Sequence, residues 1–263
     1  MIALSIIITL LVLVAAAYTD IKKREVPDWL SYSFIAVAIA AASAKSLIES
    51  SFSPLISSLS GLAIFFILAN IFYYGKLFAG GDAKLLMGIG ASLGIDISFL
   101  SNVLISGGVY GVLYSFGLAS FNARAFGKEL KKIKMPILPF ALLALIAIIA
   151  AILIAPVFYF AAAVSIISPL LYVFVTSVER AALIKIVHPS KLTEGDWLAE
   201  DVKISKRTIK ANFEGLSKKE ILFLMKHKKP VKVKYGLPFV PVFLIAFLAE
   251  LLIGNLFLLI LGI

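Results

Sequence analysis

The sequence predicts a polytopic α-helical membrane protein, on three observations: repeated apolar runs, few charges, and a one-sided distribution of basic residues. Hydrophobic residues fill 61% of the 263 positions and charged residues 15%, with a mean hydropathy of +1.04. A soluble domain carries about 45–50% apolar and about 25% charged residues. Runs of about 18 apolar residues or more call for a bilayer, because one water-soluble core does not absorb several of them.

Apolar segments occupy 2–19, 29–48, 53–74, 83–95, 97–120, 136–155, 157–178 and 237–262. No basic residue precedes the first, and no small-residue cleavage pattern follows it, so it reads as a retained span and not a signal peptide. The fourth has only 13 residues, and Asp96 separates it from the fifth. Pro156 marks a tight turn between the sixth and seventh, since proline cannot continue the helical ladder.

Charge sets the parity. With the N-terminus outside and eight crossings, 24 of the 25 Lys and Arg residues fall inside, Lys76 and Lys84 among them, and only Lys45 stays outside. A re-entrant fourth segment would instead turn Arg124, Lys128, Lys131, Lys132 and Lys134 outward. The positive-inside rule favours about eight spans in the plasma membrane, with six as the fallback if segments six and seven form a half-inserted hairpin.

Residues 179–236 differ in character and read as a small α+β cytoplasmic insertion before the last helix. "ALIKIVH" (182–188) and "VKVKYG" (231–236) alternate like strands. Ser217 and Glu220 form an S-x-x-E capping box ahead of the short amphipathic "ILFLMKHK". The expected organisation is a membrane-embedded core over 1–178, the insertion over 179–236, and a C-terminal transmembrane helix over 237–263 packing on the core.

The net charge of +10 would suggest nucleic acid in a soluble protein. Here inner loops account for it, so membrane lipids are the expected partner and nucleic acid is not. The absence of cysteine excludes disulfides, thiol catalysis and Cys-based zinc sites. His188 and His227 lie far apart in the insertion without further ligand spacing, so no metal is expected there.

Carboxylates at span boundaries are costly and therefore informative. Asp20 closes the first span in "AAAYTDIKKREVPDWLSY", and Asp82 opens the fourth in "AGGDAKLL". Singly, the first is a boundary charge and the second a helix N-cap. Together, at the same inner boundary, they suggest a dyad. Two adjacent carboxylates do not both ionise readily, so one keeps a proton while the other activates water. Helix ends suggest Asp82, at an N-terminus, as the initial base and Asp20, at a C-terminus, as the acid. Glu250, mid-span in "FLAELLIGN", is expected to be protonated and bonded to a neighbouring helix, with Asn255 as a partner.

These motifs carry a resemblance. "YTDIKKREVPDWLS" resembles the first aspartate motif of type IV prepilin peptidases: Asp, a basic stretch, then Pro-Asp or Pro-Asn. "AGGDAK" resembles their G-x-G-D motif followed by Ala-Lys, with Ala79 where the pattern has its first Gly. "GLPFVPVFLIAFLAELLIGN" (236–255) is similar to the Pro-Phe-x-Pro segment of archaeal members. The resemblance implies a GxGD-type aspartyl membrane endopeptidase of the archaeal prepilin/preflagellin (prearchaellin) peptidase family. Asp20 and Asp82 would be catalytic, and Gly80 and Gly81 would support the catalytic loop. Its substrates would be type IV pilin-like or archaellin precursors, cut at the cytoplasmic face after a short basic leader, and Glu25 and Asp28 stand near enough to receive leader lysines or to play a structural role. Bacterial relatives often add a Cys-rich zinc segment and N-methylation; without cysteines, peptidase activity with no cofactor is expected.

Two other readings compete. A presenilin-like intramembrane protease also pairs aspartates, but on consecutive spans, and ends in a Pro-Ala-Leu motif that this sequence lacks. A proton or solute transporter would line a path with carboxylates, yet no inverted repeat of broken helices is visible.

Overall fold

The computed structural model describes residues 2–75, 77–156, 158–204, 207–212 and 214–262; Lys76 and Lys206, both counted above as inner-side charges, lie outside the described residues. The chain forms two compact units, one of residues 1–111 with 236–263 and one of residues 112–235.

The first unit holds helices α1 (Ile2–Lys23), α2 (Asp28–Ile48), α3 (Ser53–Tyr74), α4 (Gly80–Leu93), the first part of α5 (Ile97–Phe121), and two more introduced below. Its core includes Leu13, Phe34, Phe65, Leu86, Ile89 and Phe99. The short α4 is the most enclosed of these helices and packs chiefly on α3 and α2. Small residues permit that. A Cβ at Gly90 would lie 2.5 Å from Phe65 Cβ and 2.7 Å from the Gly61 carbonyl oxygen, so the two backbones nearly touch. The helix stops at Gly94, whose φ of +77° is a conformation that glycine adopts freely. Its C-terminal end is tied to its neighbours by hydroxyls: Thr9 Oγ1 lies 2.6 Å from Ser92 Oγ, and Ser58 Oγ donates to the Ala91 carbonyl at 2.6 Å.

The second unit begins within α5 and continues through α6 (Ala123–Lys132), α7 (Ile137–Leu153) and α8 (Phe158–Val178). The sequence left 122–136 as an inner loop; ten of its residues form α6, which meets α7 at 77°. Phe126 packs edge-on against Phe174, which gives this charged helix an anchor on α8. Pro156 does sit in the turn between α7 and α8, its carbonyl accepting from Tyr159 N–H at 3.0 Å. After a π-helical turn at Glu179–Leu183, strand β1 (Ile184–Val187) pairs antiparallel with β5 (Val231–Lys234), which also pairs with β2 (Trp197–Leu198). A hairpin of β3 (Val202–Ile204) and β4 (Arg207–Ile209) completes the strands among the described residues. Along β5, Val231 and Val233 are buried and Lys232 exposed, the alternation read from the sequence. Helix α9 (Lys218–Lys226) starts at the capping box: Ser217 Oγ accepts from Glu220 N–H at 3.4 Å, and Glu220 Oε2 accepts from Ser217 N–H at 2.9 Å.

The chain then returns to the first unit as α10 (Val240–Leu252) and α11 (Leu256–Leu261). The run 237–262 is thus two helices, corrected from one, because Gly254 adopts φ +88° and the Asn255 side chain caps α11 through the N–H groups of Phe257 and Leu258. Among the described residues five helices are long and apolar enough to cross a membrane, and the bent α6–α7 pair makes up to six. The count matches the fallback in number but not in the segments that fall short: α4 has 14 residues and α10 has 13, against about 20 for a bilayer, whereas the sixth and seventh segments, α7 and α8, are both among the candidate spans.

Glu250 is bonded across helices, but its partners are corrected from Asn255 to Ser98 Oγ at 2.7 Å and Asn102 Nδ2 at 2.6 Å, both on α5. Asn102 also donates to the Gly254 carbonyl at 2.9 Å and accepts from Leu256 N–H at 2.8 Å, so one side chain satisfies the backbone freed by the break.

The close α3–α4 approach predicts that Gly90→Ala destabilises the protein by about 1–3 kcal/mol, seen as a lower thermal midpoint in detergent. Gly108→Ala, where nothing lies within 4 Å, should leave the midpoint at or above its original value. The cap predicts a pH dependence. Glu220 is held below the usual glutamate range, chiefly by the Ser217 hydroxyl and then by the Ser217 backbone N–H. Its stabilisation is therefore complete above about pH 4.3, the unfolded value, and is lost as pH falls through the lower folded value. Hydrogen exchange in α9, corrected for intrinsic rates, should show protection steady above that pH and declining below it, and Glu220→Gln should remove the decline.

Candidate active site

Asp20 occupies the last turn of α1 and Asp82 the first turn of α4, 62 residues apart in sequence. Both are buried, with 5% and 8% of their surface exposed, and they lie close enough for the Asp20 charge to act on the Asp82 carboxyl. Each finds a backbone donor at the start of a helix. Asp82 Oδ2 accepts from Ala79 N–H at 3.1 Å, and Asp20 Oδ2 accepts from Val240 N–H at 2.9 Å.

The second bond comes from the way α10 begins. Val240 is its first residue and Pro241 its second, and Val242 N–H already bonds the Phe239 carbonyl at 2.9 Å. First-turn amides lack intrahelical partners, so Val240 N–H is a free donor that a buried carboxylate can take. Asp20 thus ends one helix while facing the N-terminus of another. The helix-end argument that set Asp20 as acid and Asp82 as base loses its ground, because both carboxyls now face helix N-terminal amides.

Ala79, where G-x-G-D carries glycine, is the exposed N-cap of α4 with φ −72° and ψ 162°. Any L-residue adopts that geometry, so the departure leaves the backbone undisturbed. The two glycines differ. A Cβ at Gly80 would meet only Tyr73 Cε2, at 3.8 Å, whereas one at Gly81 would lie 3.1 Å from Val26 Cβ and 3.4 Å from Val26 N. Gly81 lets the α1–α2 connection lie against the start of α4, and neither glycine supplies a left-handed turn.

Asp28 is engaged by Lys84 Nζ at 2.6 Å, and Lys84 also lies 5.4 Å from the Tyr32 ring. This pair joins the first residue of α2 to the fifth of α4, and it makes Asp28 a structural partner of Lys84. Glu25 is exposed in the connection between α1 and α2. Next in the chain to the two amide donors, Ala79 and Val240, is an aromatic cluster that sequence reading missed: the Phe78 ring lies 4.9 Å from Phe72, 5.0 Å from Phe239 and 5.6 Å from Phe243. Its signal was present as "LFAGG" and "LPFVP", aromatics placed beside both motifs. Among the described residues no group of three or more His, Cys, Asp or Glu is arranged to hold a metal ion.

Comparison with known proteins follows this geometry. Residues 7–121 match the type IV leader peptidase family. The chain is 34% identical over 84 residues to a preflagellin peptidase of Methanococcus voltae, covering 32% of this chain and 36% of that protein. It is 37% identical over 87 residues to a preflagellin peptidase of Methanococcus maripaludis, strain C6, again over 32% of this chain and 36% of the relative. The similarity therefore spans about a third of the length of either relative. No solved structure gives a significant match. The stretch that holds both buried aspartates, residues 7–121, is thus the part of this membrane protein that is similar to the type IV leader peptidase family.

Proposed function

We propose that the protein is an aspartyl endopeptidase that removes the short basic leader of type IV pilin-like or archaellin precursors at the cytoplasmic face of the plasma membrane. The observation that carries the reading is the burial of Asp20 and Asp82 together at the ends of two membrane helices. The match of residues 7–121 to a leader peptidase family and the similarity to two preflagellin peptidases support the substrate class. The basic residues beside the aspartates themselves, Lys22, Lys23 and Arg24 after Asp20 and Lys84 after Asp82, support an inner, cytoplasmic side for the turns that hold them.

The chemistry follows from the pair. One carboxyl keeps its proton because two adjacent carboxylates repel, and the other, as carboxylate, accepts a proton from water. The resulting hydroxide attacks the scissile carbonyl carbon, while the protonated partner hydrogen-bonds the carbonyl oxygen and so favours the tetrahedral intermediate. Its collapse breaks the C–N bond, and the leaving amine takes up the proton gained from water. The amides of Ala79 and Val240 each hold one oxygen of their carboxyl and leave the others to water and substrate. The pair titrates as a unit, and no separate role is assigned to either member.

In a membrane cleavage assay with a basic-leader precursor, Asp20→Asn and Asp82→Asn should each lower the rate by about 10²–10⁴-fold. Substantial cleavage by both variants would refute the dyad. Gly81→Ala should cost about tenfold or more by displacing Val26 and the connection behind Asp20, with Gly80→Ala the milder of the two, as measured by the same assay on variants of equal membrane abundance.

A further inference from the structure

One residue beside the dyad adopts an unfavourable backbone conformation and makes a long-range bond. Arg24 has φ +58°, a left-handed conformation that L-residues other than Asn and Asp rarely take. The conformation closes α1: Arg24 N–H donates to the Asp20 carbonyl at 2.7 Å. It also aims the side chain at the segment where the chain returns to this unit, and Arg24 Nη1 donates to the Gly236 carbonyl at 2.6 Å. Four residues further on, Val240 N–H donates to Asp20 Oδ2. The return segment 236–240 is therefore held to the end of α1 at two points, Gly236 through Arg24 and Val240 through Asp20. Pro238 and Pro241 restrict the backbone within and just after it.

We propose that Arg24 is a positioning residue for Asp20: by fixing Gly236, its guanidinium places the first amides of α10 so that one oxygen of the Asp20 carboxyl is held and the other is turned toward Asp82. The inference rests on the dyad reading above. The Phe239 backbone amide also acts on Asp20, so two consecutive donors depend on where the return segment lies. Without the anchor at Gly236, the position of those donors rests on the packing of Phe239 and Val240 alone. The Arg24 charge acts on the Asp20 carboxyl as well, which a neutral replacement would lose.

Arg24→Ala, Arg24→Gly and Arg24→Lys, compared with wild type and Asp20→Asn in the same membranes, test this. Glycine is the informative variant, because it adopts φ +58° without strain and so removes the guanidinium while keeping the turn. Cleavage of a basic-leader precursor should show kcat lowered about 10- to 100-fold in Arg24→Ala and Arg24→Gly, with KM within about twofold, as expected when a reacting group is misplaced by a fraction of an ångström to 1 Å. Arg24→Lys, which can still reach a carbonyl, should recover part of kcat. Wild-type kcat in Arg24→Gly overturns the proposal, and so does a raised KM at unchanged kcat, which would make Arg24 a substrate-binding residue. If Arg24→Ala fails to accumulate, Arg24→Gly and Arg24→Lys decide. Full cleavage by Asp20→Asn overturns the dyad and this proposal together, whereas loss of cleavage in Asp20→Asn with full cleavage in Arg24→Gly overturns this proposal alone.

Discussion

Two carboxyl groups buried at helix ends inside a membrane protein impose the constraint on which the first unit depends. An isolated buried carboxylate is strongly unfavourable, so each needs a donor that burial does not take away. Side-chain donors are long and mobile, while the unpaired amides at a helix start are fixed. Both aspartates use amides of that kind, Ala79 N–H for Asp82 and Val240 N–H for Asp20. The start of α4 is local to its aspartate, but the start of α10 comes 220 residues after Asp20. Closing the site therefore requires the chain to leave the first unit, build the second, and return.

The same requirement explains the packing around α4. A helix of 14 residues has little surface, and its buried face has to be matched by very close neighbours. The near contact of the Gly61 and Gly90 backbones provides that on one side, and Gly81 against Val26 provides it at the Asp82 end. Small residues here trade local helix propensity for proximity. The aromatic cluster around Phe78 fills the space that the short helix leaves beside α10.

Much of this was legible in the sequence, for identifiable reasons. Asp20 and Asp82 stood out because charge at the edge of an apolar run is expensive, and β1 and β5 were legible as strands from their alternation, though their pairing was not. Other features were hidden. The bond from Val240 to Asp20 is tertiary, and no local pattern announces it beyond the prolines that start α10. The helix α6 was masked by its charges, because hydropathy reports burial and α6 has no fully buried residue. The break near Gly254 was masked in the opposite way, since the run is apolar throughout and only hydrogen bonds from Asn102 and Asn255 make a kink affordable. Arg24 read as one more inner-side charge, because a left-handed backbone leaves no mark in composition.

The attachments of α10 have a consequence for how the protein meets its lipid. A 13-residue helix is shorter than the hydrocarbon layer, about 30 Å thick, and on its own would slide or tilt as that thickness varied. Here its first residue is bonded to Asp20, and its last turn is bonded through Glu250 to Ser98 and Asn102. Hydrophobic mismatch thus falls on the long helices α1, α2, α3 and α5, which can tilt, while the depth of α10 follows the protein and not the bilayer. The position of α10 relative to the paired carboxyls is therefore set by internal hydrogen bonds and does not shift with bilayer thickness.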